Sequence, residues 1–177
     1  MSDSRAKITS VRTVAKTRIF TVEEVECEYP NGAKPCFERV IGRAKEAVLV
    51  IPMLDAETIL LIREYAVAAE RYVLGFPKGA MENPQEDILV CANRELMEEV
   101  GYGARDLRLL KSMYSSPGYV VSLMHYVLAK DLYPQKLVGD EPEPIEIIPW
   151  KLNNLKSLVA HSEFCESRSL AALALIA

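Results

Sequence analysis

The chain has 177 residues, 50% hydrophobic and 26% charged, a balance that suits one compact domain with a short extra arm and excludes disordered, collagenous and disulfide-stapled classes. Lys plus Arg number 21 against 25 Asp plus Glu, a formal charge of −4, which argues against nucleic acid or an anionic membrane as partner. Four cysteines without C-x-x-C spacing, Cys27, Cys36, Cys91 and Cys165, and a polar N-terminus with no apolar run point to reduced thiols in a cytoplasmic protein.

Short β-rich runs open the chain, at residues 19–22, 37–41, 47–54 and 58–62. Pro30-Asn31-Gly32 reads as one hairpin loop and Asp55-Ala56-Glu57 as a second turn. Residues 75–79 read as a loop. From 84 to 100, Leu89, Ala92, Leu96 and Val100 recur at spacings of three and four, which predicts an amphipathic helix closed by Gly101 or Gly103. Two further strands are expected at 107–114 and 120–129. Residues 133–149 hold four prolines and predict a surface loop, and helical periodicity returns from 152 to 177. The pattern implies an α/β chain, a mixed sheet flanked by helices.

The central helix carries the chemistry. At ~100° per residue, Glu95, Glu98 and Glu99 converge on one face. Their mutual repulsion calls for a cation, and with Arg94 placed in the less favourable order before Glu98, a divalent ion is the better partner. Only two histidines are present and no Cys or His adjoins these glutamates, so the ion should be hard, Mg²⁺ or Mn²⁺. An acidic helix face alone is more often merely solvated; the residues around it decide otherwise. Two helix starts compete: Asn83-Pro84-Gln85-Glu86 as a capping box, or Asp87 as N-cap, which would leave Glu86 free for the site.

The run Arg94-Glu95-Leu96-Met97-Glu98-Glu99-Val100-Gly101, with Glu86 eight residues before Arg94, resembles the Nudix box, Gly-x5-Glu-x7-Arg-Glu-U-x-Glu-Glu-x-Gly-U, where U is bulky and apolar. Six residues rather than five separate Gly79 from Glu86, in a loop where length costs little, and the last U is Tyr102. The resemblance implies a Nudix fold, an α/β/α sandwich with a mixed β-sheet and an N-terminal β arm. It also implies a Mg²⁺-dependent pyrophosphohydrolase with Glu95, Glu99, Glu98 and the carbonyl beside Gly79 as metal ligands, and with Arg94 orienting Glu86.

Leu61-Ile62-Arg63-Glu64-Tyr65, Leu74-Gly75-Phe76-Pro77-Lys78-Gly79 and Gly139-Asp140-Glu141-Pro142-Glu143-Pro144 look like the ADP-compounds hydrolase, NudE-like branch, related to ADP-ribose pyrophosphatases. Pro117, sixteen positions beyond Gly101, fits the ADP-ribose class. That branch implies hydrolysis of ADP-ribose, diadenosine oligophosphates or NADH with release of AMP. Arg63, Tyr65, Pro117 and Tyr119 are the expected substrate-binding residues. Glu98, Glu143 and Glu141 are the expected catalytic ones, with Glu143 favoured as general base on a mobile loop. The expected partners are a small nucleoside diphosphate-linked substrate and a second copy of the chain. The resemblance further implies that residues 1–43 form an N-terminal β arm used for dimerisation and residues 44–177 the hydrolase domain. The alternatives are a nucleoside triphosphate or coenzyme A diphosphatase, and a non-catalytic sensor of ADP-ribose.

Overall fold

The computed structural model describes residues 5–81, 83, 85–139 and 142–176. Two compact units emerge, one from residues 1–45 with 114–123 and the other from 46–113 with 124–177.

In the first unit, β1 (Lys7–Lys16) pairs antiparallel with β2 (Thr21–Glu28), and β2 pairs with the first half of β3 (Cys36–Asp55). Ile19 and Phe20, expected in a strand, instead form the β1–β2 turn, because Thr17 closes on Phe20 through backbone and hydroxyl bonds. The predicted Pro30-Asn31-Gly32 loop is present, with Gly32 at φ +83° where a side chain would be strained. Every residue of β1 is exposed, and Ile8, Val11 and Val14 are among its apolar side chains.

The second unit holds β4 (Thr58–Ala66), β5 (Arg71–Gly75), β6 (Lys78–Ala80), β9 (Glu146–Lys151) and parts of β3, β7 (Tyr102–Tyr114) and β8 (Val120–Pro134). β4 pairs with β3, β5 and β9, β6 pairs with β3, and β8 pairs with β3 and β7, giving a mixed sheet with few helices. Alternation along the strands explains why helices cover both faces. Leu49, Ile51, Ile59, Leu61, Met124 and Tyr126 point into one core, closed by Leu158, Phe164, Ala172 and Leu173. The intervening Val48, Val50, Leu60, Ile62 and Val127 point into a second, closed by Cys91, Ala92, Leu96 and Val100. Strands apolar on both faces need cover on both, which is the α/β/α arrangement.

The central helix is shorter than its periodicity suggests. α1 (Ile88–Glu95) starts at Asp87, whose carboxylate accepts from Leu89 N at 2.9 Å and Val90 N at 3.2 Å. Asp87 therefore wins the competition for the cap; Pro84 of the rival box lies outside the described residues. After Glu95 the backbone relaxes into one π turn, Leu96–Val100, and Gly101 ends it at φ +78° as expected. The predicted surface loop at 133–149 is corrected at its end: β9 pairs along β4 in register Leu60↔Pro149. Proline is tolerated there because, among the described residues, β9 pairs with β4 alone and its other edge needs no donor. β5, missed in sequence, begins after Glu70 at φ +53°. The C-terminal helical stretch divides into α2 (Leu155–Ala160) and α3 (Ser167–Ala174). No helix is long and apolar enough to cross a membrane among the described residues.

Candidate active site

The α1–π segment lays its apolar stripe on the sheet and turns its glutamates toward the strand segment 76–80. Glu95 is 8% exposed and Glu99 6%, unusual burial for carboxylates that implies specific partners. Glu95 lies against Gly79 so closely that a Cβ there would sit 1.9 Å from its carboxyl carbon; this position admits only glycine. Glu99 accepts from the Lys78 backbone N–H at 2.9 Å, while the Lys78 ammonium pairs with Glu64. Burial pushes the Glu99 carboxyl up to about 8, with Lys78 opposing and Glu64 and Glu95 adding to the rise.

Arg94 connects the glutamates. Its Nη1 lies 2.7 Å from Glu95 and 3.0 Å from Glu98, its Nε 3.4 Å from Glu86, and its Nη2 donates to Cys91 Sγ. Burial works against its charge, but Glu95 and Glu86 outweigh that and hold the guanidinium protonated. The unfavourable order of Arg94 and Glu98 thus does not prevent their pairing, because the guanidinium serves several carboxylates at once.

This donor set fits a hard divalent ion: buried carboxylate oxygens, no imidazole or thiolate between them, and a glycine clearing room for Glu95 beside the main chain. Among the described residues no group of three or more acidic, His or Cys side chains is already gathered at ligand spacing. Arg94 and the Lys78 N–H hold the carboxylates in protein pairs instead.

Matches with known proteins follow the same residues. A model of the NUDIX domain matches residues 43–165. The chain belongs to the Nudix family. A model of the NudE-type Nudix hydrolase N-terminal domain matches 7–39. The chain is 46% identical to the ADP compounds hydrolase NudE of Escherichia coli (strain K12), covering 99% of this chain and 95% of that protein. It is 31% identical to an ADP-ribose pyrophosphatase of Bacillus subtilis (strain 168), covering 92% and 90%. The crystal structure of an ADP compounds hydrolase matches with a TM-score of 0.88 at 45% identity, covering 97% of this chain and 92% of that one.

Within this Nudix domain the other expected residues separate into groups. Arg63 donates through Nε and Nη2 to both oxygens of Glu163, at 2.8 and 2.9 Å, approaches Glu146 at 3.5 Å and stacks 4.3 Å over the Tyr72 ring. Glu163 holds it firmly protonated. Tyr65, 52% exposed, meets Tyr72 edge-on, and Tyr72 donates to Glu143 at 2.9 Å. Glu143 therefore sits with the Arg63–Tyr72 cluster, and Glu141 lies outside the described residues. Pro117 and Tyr119 belong to the first unit, where they line a cleft of about 630 Å³ with Val25, Tyr29, Phe37 and Arg39.

Sequence reasoning missed Lys78, Tyr72 and Glu163. Lys78 adjoins Gly79 in a string already singled out, so its backbone role had a signal. Glu163 lies a hundred residues from Arg63, and no local pattern could pair them.

Proposed function

We propose that this chain hydrolyses the pyrophosphate bond of ADP-linked compounds, with ADP-ribose, diadenosine oligophosphates and NADH as the substrate class and AMP as the common product. The observation that carries it is the pair of buried carboxylates, Glu95 against Gly79 and Glu99 on the Lys78 N–H, bound together with Glu98 and Glu86 through Arg94. The names of the Escherichia coli and Bacillus subtilis relatives favour an ADP-linked substrate.

Glu95, Glu99, Glu98 and the backbone beside Gly79 would hold Mg²⁺, with Mn²⁺ as a substitute. When bound, the ion supplies charge neutralisation on the pyrophosphate oxygens and acidifies nearby water. Arg94 keeps Glu86 and Glu98 in place. Attack of water at phosphorus needs a proton acceptor, and Glu143 takes that role once it leaves Tyr72. Arg63 meets a phosphate oxygen with Nη1, displacing Glu146, which that nitrogen faces at 3.5 Å, while Glu163 keeps Nε and Nη2. Tyr65 offers an exposed ring face to a base, and the Pro117–Tyr119 cleft has the aromatic lining that suits a purine.

Residues 1–43 act as a dimerisation arm ahead of the hydrolase domain at 44–177, and the protein is a homodimer. The exposed apolar side chains of β1 support this. A reducing cytoplasm suits its four free cysteines. The deciding experiment incubates pure protein and Mg²⁺ with ADP-ribose, NADH, diadenosine triphosphate, ATP and coenzyme A. AMP release from the first three is expected; preferred turnover of ATP or coenzyme A would replace the reading with a different diphosphatase, and binding without turnover with a sensor.

A further inference from the structure

The residues between β5 and β6 are flanked by two glycines, and each admits a polar side chain from a helix on a different face of the sheet. Gly79 clears Glu95 of α1. A Cβ on Gly75 would lie 2.8 Å from Ser169 Oγ and 3.4 Å from Glu166 Oε2, both contributed by α3 and its cap. Ser169 is fully buried, as is Phe76. Its hydroxyl donates to Glu166 Oε2 at 2.7 Å and accepts from the Phe76 N–H at 3.1 Å. A serine has one proton to give, so Glu166, itself paired with Arg168, dictates that the lone pair faces Phe76.

Pro77 has no N–H, which makes Phe76 the last backbone donor before Lys78. The segment is consequently pinned at three consecutive residues: Phe76 N to Ser169, Pro77 O from Val50 N at 2.9 Å, and Lys78 N to Glu99. Only the first of these pins comes from a side chain outside the sheet and the acidic helix.

We propose that Ser169, oriented by Glu166, is a positioning residue of the acidic site: by holding the Phe76 N–H it sets the placement of the Lys78 N–H on Glu99 and of Gly79 against Glu95. The proposal rests on the reading of Glu95 and Glu99 as metal ligands. α3 packs into the core that excludes α1, so the hydroxyl acts on the carboxylates through the backbone of the strand connection and touches none of them.

The test titrates Mn²⁺ alone into the metal-free protein, read by electron paramagnetic resonance, with kcat and KM for ADP-ribose measured alongside. Ser169→Ala is expected to weaken Mn²⁺ binding about tenfold and to lower kcat at subsaturating metal, with KM for the substrate changed less than about twofold. Amide exchange at Phe76 should quicken in the same variant. Mn²⁺ affinity within about twofold of wild type in folded Ser169→Ala overturns the proposal. Glu99→Gln run in parallel separates the two levels: its loss of Mn²⁺ binding leaves the ligand assignment standing, and its retention of Mn²⁺ binding removes both readings. Should Ser169→Ala not fold, Glu166→Ala and Glu166→Gln decide, since only glutamine retains an acceptor for the hydroxyl. Weaker Mn²⁺ binding in the alanine variant alone supports the proposal, and equal affinities overturn it.

Discussion

Glu99 holds its carboxyl at about 8 because burial outweighs the help of the Lys78 N–H, and this makes the metal-free protein sensitive to pH. Well below pH 4.5, the folded and unfolded chains both keep this proton and the group costs nothing. Between 4.5 and about 8 the unfolded chain ionises while the native one resists, so stability falls as pH rises and levels off above 8. In chelator, the melting temperature of wild type relative to Glu99→Gln should therefore decline from pH 5 to pH 8; a constant difference would refute the buried carboxyl. Mg²⁺ binding at pH 7 should release protons, read as a buffer-dependent heat by calorimetry. Glu95→Gln and Glu99→Gln should each abolish Mg²⁺-dependent turnover, and retention within about tenfold of wild type would defeat the ligand assignment. Gly79→Ala would drive a Cβ into the Glu95 carboxylate, so kcat at saturating Mg²⁺ should fall about 100-fold. Undiminished turnover would mean that the approach of Glu95 to the main chain serves no chemistry.

At the scale of elements, the π turn at Leu96–Val100 and the connection after β8 belong together. Gln135 N donates to Gly101 O at 3.0 Å, Leu137 N to Met97 O at 3.1 Å, and the Lys136 ammonium to Glu98 O. The carbonyls that a helix end leaves without partners are thus capped by the root of the loop that carries Glu143. Further along, that loop is held by Tyr72. Glu143→Gln should lower kcat for ADP-ribose with little change in KM, as for a group used only in the transition state. An unaltered kcat moves the general base to another residue. The cap of α1 shows where local reasoning ends. Asp87 and the rival box at 83–86 were both chemically sound, and the outcome places Glu86 beside Arg94 instead of at the helix start.

For the whole molecule, a homodimer through the β arm predicts a light-scattering mass of twice the chain at micromolar concentration; a single-chain mass would remove that assembly. The Nudix membership, the α/β class and the identity of the acidic residues were readable along the chain, because a helix brings positions three and four apart onto one face without help from any other element. The order of strand-like and helical runs also implied a sheet flanked by helices, while β5 and β9 escaped notice: one follows an unforeseen turn, the other hides behind prolines that only its edge position permits. What tertiary structure alone decided is the company each group keeps. Gly79 against Glu95, Ser169 on Phe76, and Arg63 held by Glu163 a hundred residues away all depend on which strands and helices pack together. The sequence determines which side chains are available, and only packing of distant segments brings them within hydrogen-bonding distance.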